Sequence, residues 1–329
     1  MADAISLLDT SWSGPAAQEM ITRAVTSTDT VDKGCAYIKS GIRKYYTIPR
    51  IETNNFMQAR QATPTSQGTI TVDGKVLEPQ DLMLYMEFNP RDFEAHFYAE
   101  NLEDRILARD MPEPAQAYFV MQLTKRLNEY WETAWWQSRL KYNPDYGSGA
   151  ETPPSSLSSA SFYFFDGWLE KLLTDDTVVP FPSAVALTYS NIRDQFQAAF
   201  LLTPLAVRYK YGLKGLRILV SYADQSKYEE ALRLDAYKNQ DTSSAGINKW
   251  AGYDVVPLAG LPENTFIMCF AKPDIDGQLW IGMNSEDDMS LQLQRLQNNS
   301  ELFFIKGLFK MDTQTGFGDQ IVLYTTLTA

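Results

Sequence analysis

Apolar and polar positions follow two rhythms along this chain, and the change of rhythm marks out its elements. Between residues 112 and 140, Ala117, Val120, Met121, Leu127, Trp131, Ala134 and Trp135 recur at helical spacing, with Lys125, Arg126, Glu129 and Glu132 on the other faces. Pro112 and Pro114 suit a first turn, where a missing N–H removes no hydrogen bond. At a rise of about 1.5 Å per residue this predicts one helix of about 40 Å. Its C-terminal end is rich in aromatic side chains.

Residues 43–90 keep the two-residue rhythm of strands. KYYTIPRIE reads as a strand and QARQATPTSQG as a polar interruption. GTITVDGKVLEP is a second alternating run, with Ile70 and Val72 on one face. Asp73-Gly74 between apolar positions is a hairpin-turn signal, with Val76 and Leu77 as return residues and Pro79 as the stop. A two-stranded ribbon is marginal alone in water. It is expected to rest on another copy; the alternative is a ribbon folded back on its own domain. Residues 1–40 are mixed and polar. They predict a short helix near Ala16 to Val25, within an arm that needs a partner to lie on.

The Gly/Pro/Ser-rich stretch 141–160 (KYNPDYGSGAETPPSSLSSA) is a loop and the best domain boundary. Beyond it helices and strands alternate. Phe164, Phe165, Trp168, Leu169, Leu172 and Leu173 mark a helix, and Ile192, Phe196, Ala199 and Phe200 mark another that Pro204 ends. LRILVS at 216–221 is a buried-type strand, and SKYEEALRLDAYKN at 226–239 is an amphipathic helix. GYDVVPL, NTFIMCFA and GQLWIGM follow as strands. The runs ELFFIKGLF and QIVLYTT around DTQTGFGD read as a closing hairpin. The pattern is α+β, with no short solenoid repeat.

Composition narrows the function. The 329 residues allow two domains at about 150 residues each. At 44% hydrophobic the chain can bury a large core, and its 13% aromatic content serves cores and interfaces alike. The net charge of −12 argues against tight binding over a wide face of nucleic acid, which depends on Lys and Arg. An acidic wall does suit a container along which DNA slides. The chain's start, MADAISLLDTSWSG, has no basic n-region, so no signal peptide is expected, and no run reaches the roughly 18 apolar residues of a membrane span. Asn298-Asn299-Ser300 is then a chance sequon. Cys35 and Cys269 sit in unlike contexts and are expected to be reduced thiols.

Catalytic constellations are missing from the pattern. The one histidine, His96, lies among Phe93, Phe97 and Tyr98 and reads as a packed residue, not a base. No G-x-S-x-G elbow, phosphate loop or dinucleotide fingerprint occurs. Asp274-Ile275-Asp276-Gly277 opens like a calcium loop but lacks the later ligands, so a turn is expected. Glu286-Asp287-Asp288 reads as a solvated acidic loop. No catalytic, cofactor or metal residue is assigned, and a soluble α+β enzyme or an aromatic carbohydrate-binding module finds little support.

Residues 252–283, GYDVVPLAGLPENTFIMCFAKPDIDGQLWIGM, carry a Gly-x-Pro-Glu-Asn turn between apolar strands: Gly260-Leu261-Pro262-Glu263-Asn264. Gly260 is expected to permit a tight bend, Pro262 to fix φ, and Asn264 to tolerate turn geometry. This segment resembles the end of the A-domain in major capsid proteins of tailed bacteriophages, the Hong Kong 97 type fold. VLEPQDLMLYMEFNPRDFEAHFYAE at 76–100 resembles that family's passage from E-loop to P-domain, and FDGWLEKLL at 165–173 its A-domain entry.

The resemblance implies an N-terminal arm (1–42), an E-loop ribbon (43–90), a P-domain (91–150) with spine helix 112–140, an A-domain (151–300) and return strands to the P-domain (301–329). It implies a non-enzymatic shell subunit that self-assembles as hexamers and pentamers into a virion capsid around double-stranded DNA, in the host bacterial cytoplasm. A portal is the implied partner, with either a separate scaffold or none, and room for decoration proteins; no cofactor and no membrane is implied. Phe56, Ile70 and Val72 are the expected inter-subunit contacts. Lys75 lies where some members crosslink, but no partner residue is assigned. An encapsulin-like nanocompartment holding enzyme cargo is the alternative with the same fold.

Overall fold

The computed structural model describes residues 10–13, 28–53, 57–60, 62–63, 65, 69–89, 113–143, 163–212, 215–234, 249–284, 290–296 and 302–327. The early strands are β1 (Thr10–Ser13), β2 (Tyr37–Lys39), β3 (Tyr46–Thr53), β4 (Ile70–Leu77) and β5 (Gln80–Phe88). Then come β6 (Val179–Pro180), β7 (Leu216–Ser221), β8 (Lys249–Trp250), β9 (Tyr253–Leu258) and β10 (Thr265–Phe270). The last are β11 (Leu279–Met283), β12 (Ser290–Arg295), β13 (Phe303–Thr315) and β14 (Val322–Thr325). The helices are α1 (Asp29–Asp32), α2 (Glu113–Gln137), α3 (Trp168–Thr174), α4 (Ile192–Leu202), α5 (Leu205–Tyr211) and α6 (Tyr222–Leu234).

These strands form two larger sheets and a ribbon. The first sheet has the order β1-β12-β13-β11-β2, with β5 also paired to β13. The second has the order β6-β14-β10-β7-β9-β8. The ribbon is β3 and β4 alone, antiparallel from Tyr46↔Leu77 to Thr53↔Ile70.

The second sheet is buried on both faces, and its sequence shows why. All six residues of β10 are buried. Phe266, Met268 and Phe270 face a core built with Phe196 of α4 and Tyr228 of α6. Ile267 and Cys269 face the other core, built with Trp135, Trp168 and Leu169. A strand covered on both sides needs a continuous apolar run rather than alternation. The first core packs through rings: Phe266 stands edge-on to Phe196 at 4.9 Å and stacks on Tyr324 at 4.5 Å.

The second core is organised around the C-terminal end of α2. Trp135, Trp136 and Trp168 are all fully buried, and Trp136 meets Trp168 edge-on at 4.7 Å. The indole N–H groups of the fully buried tryptophans find acceptors, as burial requires, that of Trp135 on Met311 Sδ at 2.8 Å. Trp136 donates to Thr30 Oγ1 at 2.9 Å, Trp168 to the Gln314 carbonyl at 3.1 Å, and Trp280 to the Gly277 carbonyl at 2.7 Å. Further along α2, Leu123 and Leu127 pack on Leu84, Phe88 and Ile305, so the helix also covers one face of the first sheet.

The long helix, the strand at 216–221 and the helix ended by Pro204 stand where the periodicity puts them. Four expectations are corrected. Asp73-Gly74 is not a turn: β4 runs straight through it, with Asp73 opposite Arg50 and Gly74 opposite Pro49. Glycine is needed there for close approach, since a Cβ would lie 2.5 Å from Thr47 Cγ2 and 2.6 Å from the Ile48 carbonyl oxygen. The chain reverses between Thr53 and Ile70.

The closing hairpin is likewise not one. β13 continues through the polar MDTQT stretch of the first sheet, while β14 belongs to the second. β11 and β12 also pair in the first sheet, and β5 pairs with β13 rather than extending the ribbon. Third, the amphipathic helix begins at Tyr222, not at 226, and is described as far as Leu234; residues 235–239 lie outside the described residues. Fourth, residues 28–42 are not an arm awaiting a partner. Thr28, Thr30, Cys35, Ala36 and Ile42 are buried in their own chain. The helix expected near Ala16 to Val25 lies outside the described residues.

Candidate assembly interface

The ribbon has two unlike faces because successive side chains of a strand point to opposite sides. Its inner face holds Tyr46, Ile48 and Arg50 from β3, with Lys75 and Leu77 opposite them or nearby on β4. Ile48 and Leu77 are buried, and Leu77 packs against Gly282, where a Cβ would lie 2.7 Å from it. Tyr46 stacks on Trp280 at 6.2 Å. Lys75 ion-pairs with Asp175 and donates to Thr315 Oγ1 at 2.9 Å. Arg50 meets Asp319 at 3.3 Å and lies over the Phe317 ring at 5.1 Å. Backbone contacts finish the clamp: Gln314 Nε2 donates to the Val76 carbonyl at 2.6 Å, and the Glu78 N–H to Asp312 Oδ2 at 2.9 Å.

The outer face is apolar and uncovered. Ile70 is 70% exposed, Val72 71% and Val76 48%, and Pro49 is exposed opposite Gly74. Single exposed hydrophobic residues are ordinary; here Ile70, Val72 and Val76 line one face of a ribbon whose other face is clamped. Full burial of such side chains contributes about 1.5–3 kcal/mol each. Of the expected contact residues, Ile70 and Val72 therefore share this face, whereas the Lys75 ammonium docks the ribbon on its own body. Phe56 lies outside the described residues, as do His96, Glu286-Asp287-Asp288 and Asn298-Asn299-Ser300.

The ribbon is held against a rigid junction. Glu132 is buried on α2 and accepts from the Thr30 N–H at 3.0 Å. Burial pushes its carboxyl above the usual range, partly offset by the hydrogen bonds from Thr30. Asp29 accepts from the Ala259 N–H at 3.0 Å, and Arg217 donates to the carbonyls of Lys33 and Gly34 at 3.1 and 2.9 Å. Residues 28–35 thus wedge α2 against the second sheet. A buried ion pair, Arg139 with Glu170 at 2.9 Å, fixes the start of α3 at the end of α2.

The Gly260–Asn264 turn completes the junction, with a division of labour that only the fold reveals. A Cβ on Gly260 would overlap the Trp136 ring and the Glu132 carbonyl, so this glycine serves close approach and not a bend. Gln137 Nε2 donates to its carbonyl at 2.7 Å. Asn264 does take the left-handed conformation, at φ 61°. Its N–H donates to buried Asp224 at 2.9 Å, and its Oδ1 accepts from the Leu187 N–H at 2.7 Å.

The chemistry at the remaining candidate positions is structural. Cys35 and Cys269 are free and buried; burial pushes the Cys35 thiol up to about 11, and Cys269 higher still. Such thiols are poor nucleophiles. Asp274–Gly277 forms a turn, closed by the Gly277 N–H on the Asp274 carbonyl at 2.8 Å. Among the described residues no group of His, Cys, Asp and Glu is arranged to hold a metal, and no helix is long and apolar enough to cross a membrane. The sequence reading missed Thr30 on Glu132 and the whole of α5. The spacing of Val207 and Tyr211 after Pro204 was the available signal for α5.

No family model and no curated protein matches this chain. Solved structures match it over nearly its whole length. The satellite phage P4 procapsid including size determination (Sid) protein matches at 10% identity and TM-score 0.59, over 95% of this chain and 99% of that one. The capsid of a native GTA particle matches at 10% identity and TM-score 0.56, over 92% and 91%. The holo-SrpI encapsulin complex from Synechococcus elongatus PCC 7942 matches at 11% identity and TM-score 0.51, over 89% and 87%. The fold is that of phage shell subunits, the Hong Kong 97 type.

Proposed function

We propose that this chain is the major capsid protein of a tailed phage, a structural subunit that closes into an icosahedral shell around double-stranded DNA. The observation that carries this is the end-to-end match with a procapsid subunit, over 95% of this chain and 99% of that one. The two-faced ribbon supports it independently, because its outer apolar row needs a cover from another molecule. The E-loop of one copy lies over the P-domain of the next, with Ile70, Val72 and Phe56 at the contact. A-domains gather around the local axes of hexamers and pentamers. Each contact is modest, and many per subunit act together. The net charge of −12 leaves the enclosed DNA free to pack, since the wall repels it. Packing the genome falls to other proteins, with a portal and a separate scaffold as partners in the host bacterial cytoplasm.

The test is size-exclusion chromatography and negative-stain microscopy of the full chain, expressed alone and with its genomic neighbours. Hexamers, pentamers or closed shells are expected; a monomer in every condition overturns the proposal. Purified shells are expected to hold DNA after packaging. Shells that hold only protein cargo would assign the encapsulin-like role instead.

A further inference from the structure

The helix layer over the second sheet is hollowed where the start of α4 meets the end of α6 and β8. The cavity holds about 510 Å³, within the roughly 300–1,000 Å³ of small-molecule sites. Its frame is fixed within one copy. Phe196 of α4 packs on Tyr228 of α6 at 5.6 Å and stands edge-on to Trp250 of β8 at 6.2 Å, so the three elements keep one spacing. The Tyr228 hydroxyl donates to the Lys249 carbonyl at 2.8 Å, which holds β8 in place. Ahead of α4, Asn191 Oδ1 accepts from the Thr188 N–H at 2.8 Å and Asn191 Nδ2 donates to the Ala186 carbonyl at 3.0 Å. The Leu187 N–H donates to Asn264 Oδ1 at 2.7 Å. The lip that carries Tyr189 and Ser190 is therefore braced from both sides.

The lining mixes two kinds of group. Ala231, Leu234 and the Trp250 indole are apolar, and Tyr189 adds a half-exposed ring. Ser190, Arg193, Asp194 and Gln197 bring polar groups. The Trp250 indole N–H, the Asp194 carboxylate and the Gln197 amide meet no partner among the described residues. Trp250 is the informative one. It is only 8% exposed, and an indole N–H buried to that degree ordinarily finds an acceptor. Here the acceptor is left to whatever fills the cavity.

We propose that this cavity binds a neutral, polyhydroxylated ligand, of the class of a hexose unit in a glycan. The site lies within one copy, so it goes beyond the shell-subunit reading and does not depend on it. Charge selects the class first. α4, α6 and β8 together carry four basic and four acidic residues, so no net field draws in a phosphate or a carboxylate. An anion would also sit beside Asp194, and a cation beside Arg193. Hydrogen bonding selects next. A hydroxyl both donates and accepts, and the lining offers donors on Trp250 and Arg193, an acceptor on Asp194, and both on Ser190 and Gln197. An apolar ligand would leave these groups covered and unpaired. The Tyr189 ring then covers the apolar C–H face that a sugar ring presents.

The experiment titrates the full chain with maltose, N-acetylglucosamine, glucose 6-phosphate and glucuronate, read by calorimetry and saturation-transfer NMR. Saturable binding of a neutral sugar is expected, with the two charged sugars weaker. Tyr189→Ala and Gln197→Ala are each expected to weaken it at least about tenfold. Thermal melting should stay that of the parent chain, because both side chains are exposed. Tyr189→Phe keeps the ring and should keep the binding. Tyr209→Ala removes an 84% exposed ring of α5 that does not line the cavity, and should change nothing. Absence of saturable binding by both neutral sugars overturns the inference. So does tighter binding of a charged sugar, or an equal loss from Tyr209→Ala. Each of these outcomes leaves the shell reading standing.

Discussion

The second sheet and the ribbon are both built from β-strands, yet they solve opposite problems. The second sheet is closed on both faces: Phe266 and Tyr324 on one side, Ile267 and Leu323 on the other, all buried within one copy. The ribbon is closed on one face only. Leu77 and Ile48 are buried, while Ile70 and Val72, on the same strand pair, are not. A sheet that needs nothing from outside can define the subunit, and a ribbon that keeps one apolar face open can define its neighbour. The same division explains the polar groups. Those of the ribbon's inner face are spent on its own body, through Lys75, Arg50 and the Glu78 N–H.

Substitutions separate the two regions. The largest effect on the folded subunit is expected in the second sheet. Phe266→Ala removes a fully buried ring between Phe196 and Tyr324 and should cost about 3–5 kcal/mol, read by denaturant unfolding of the unassembled subunit. Survival at parent stability would break the comparison.

A smaller effect is expected at the ribbon base. Lys75→Ala should cost about 1 kcal/mol or less, because the pair is partly exposed, and should speed hydrogen exchange in β3 and β4 selectively. Acid should mimic it. Burial alone would raise the Asp175 carboxyl, but hydrogen bonds from Lys75 and Thr177 outweigh it and hold the group below its ordinary value. A depressed carboxyl contributes stability above the unfolded value, about 3.9, and loses it as pH falls through the folded value. Exchange in the ribbon should therefore quicken below about pH 4, and Lys75→Ala should remove that step.

The smallest effect on the subunit is expected on the ribbon's outer face. Val72→Asp should leave unfolding within about 0.5 kcal/mol of the parent, yet abolish closed shells in micrographs. A large loss of subunit stability from this substitution would mean that the outer face is covered by its own chain.

The legible parts of the sequence were those where a local rhythm and the tertiary demand agree. LRILVS and TFIMCF read as buried strands because a strand covered on both faces must be apolar throughout. The stripe ending in Trp131, Ala134 and Trp135 read as a helix because one side of it is core. The exposed row of Ile70 and Val72 was legible through alternation. Asp73-Gly74 misled because a turn signal is local, while the glycine answers a clash across the ribbon with Thr47. MDTQT was invisible as a strand because its polar side chains are satisfied from afar: Lys171 Nζ reaches Asp312 at 2.9 Å, and the Thr313 hydroxyl donates to the Asp166 carbonyl at 3.2 Å.

The sequence by itself determined the long helix and the apolar strands, since each follows from the spacing of apolar residues along a short stretch, whereas the ribbon's pairing and its docking on its own chain did not. Only the tertiary structure decided that residues 28–35 wedge into the body, that β13 and β14 belong to different sheets, and that Gly260 exists for Trp136. Those depend on which distant groups share one small volume, and neither close packing nor the pairing of buried polar groups leaves a periodic mark on the chain.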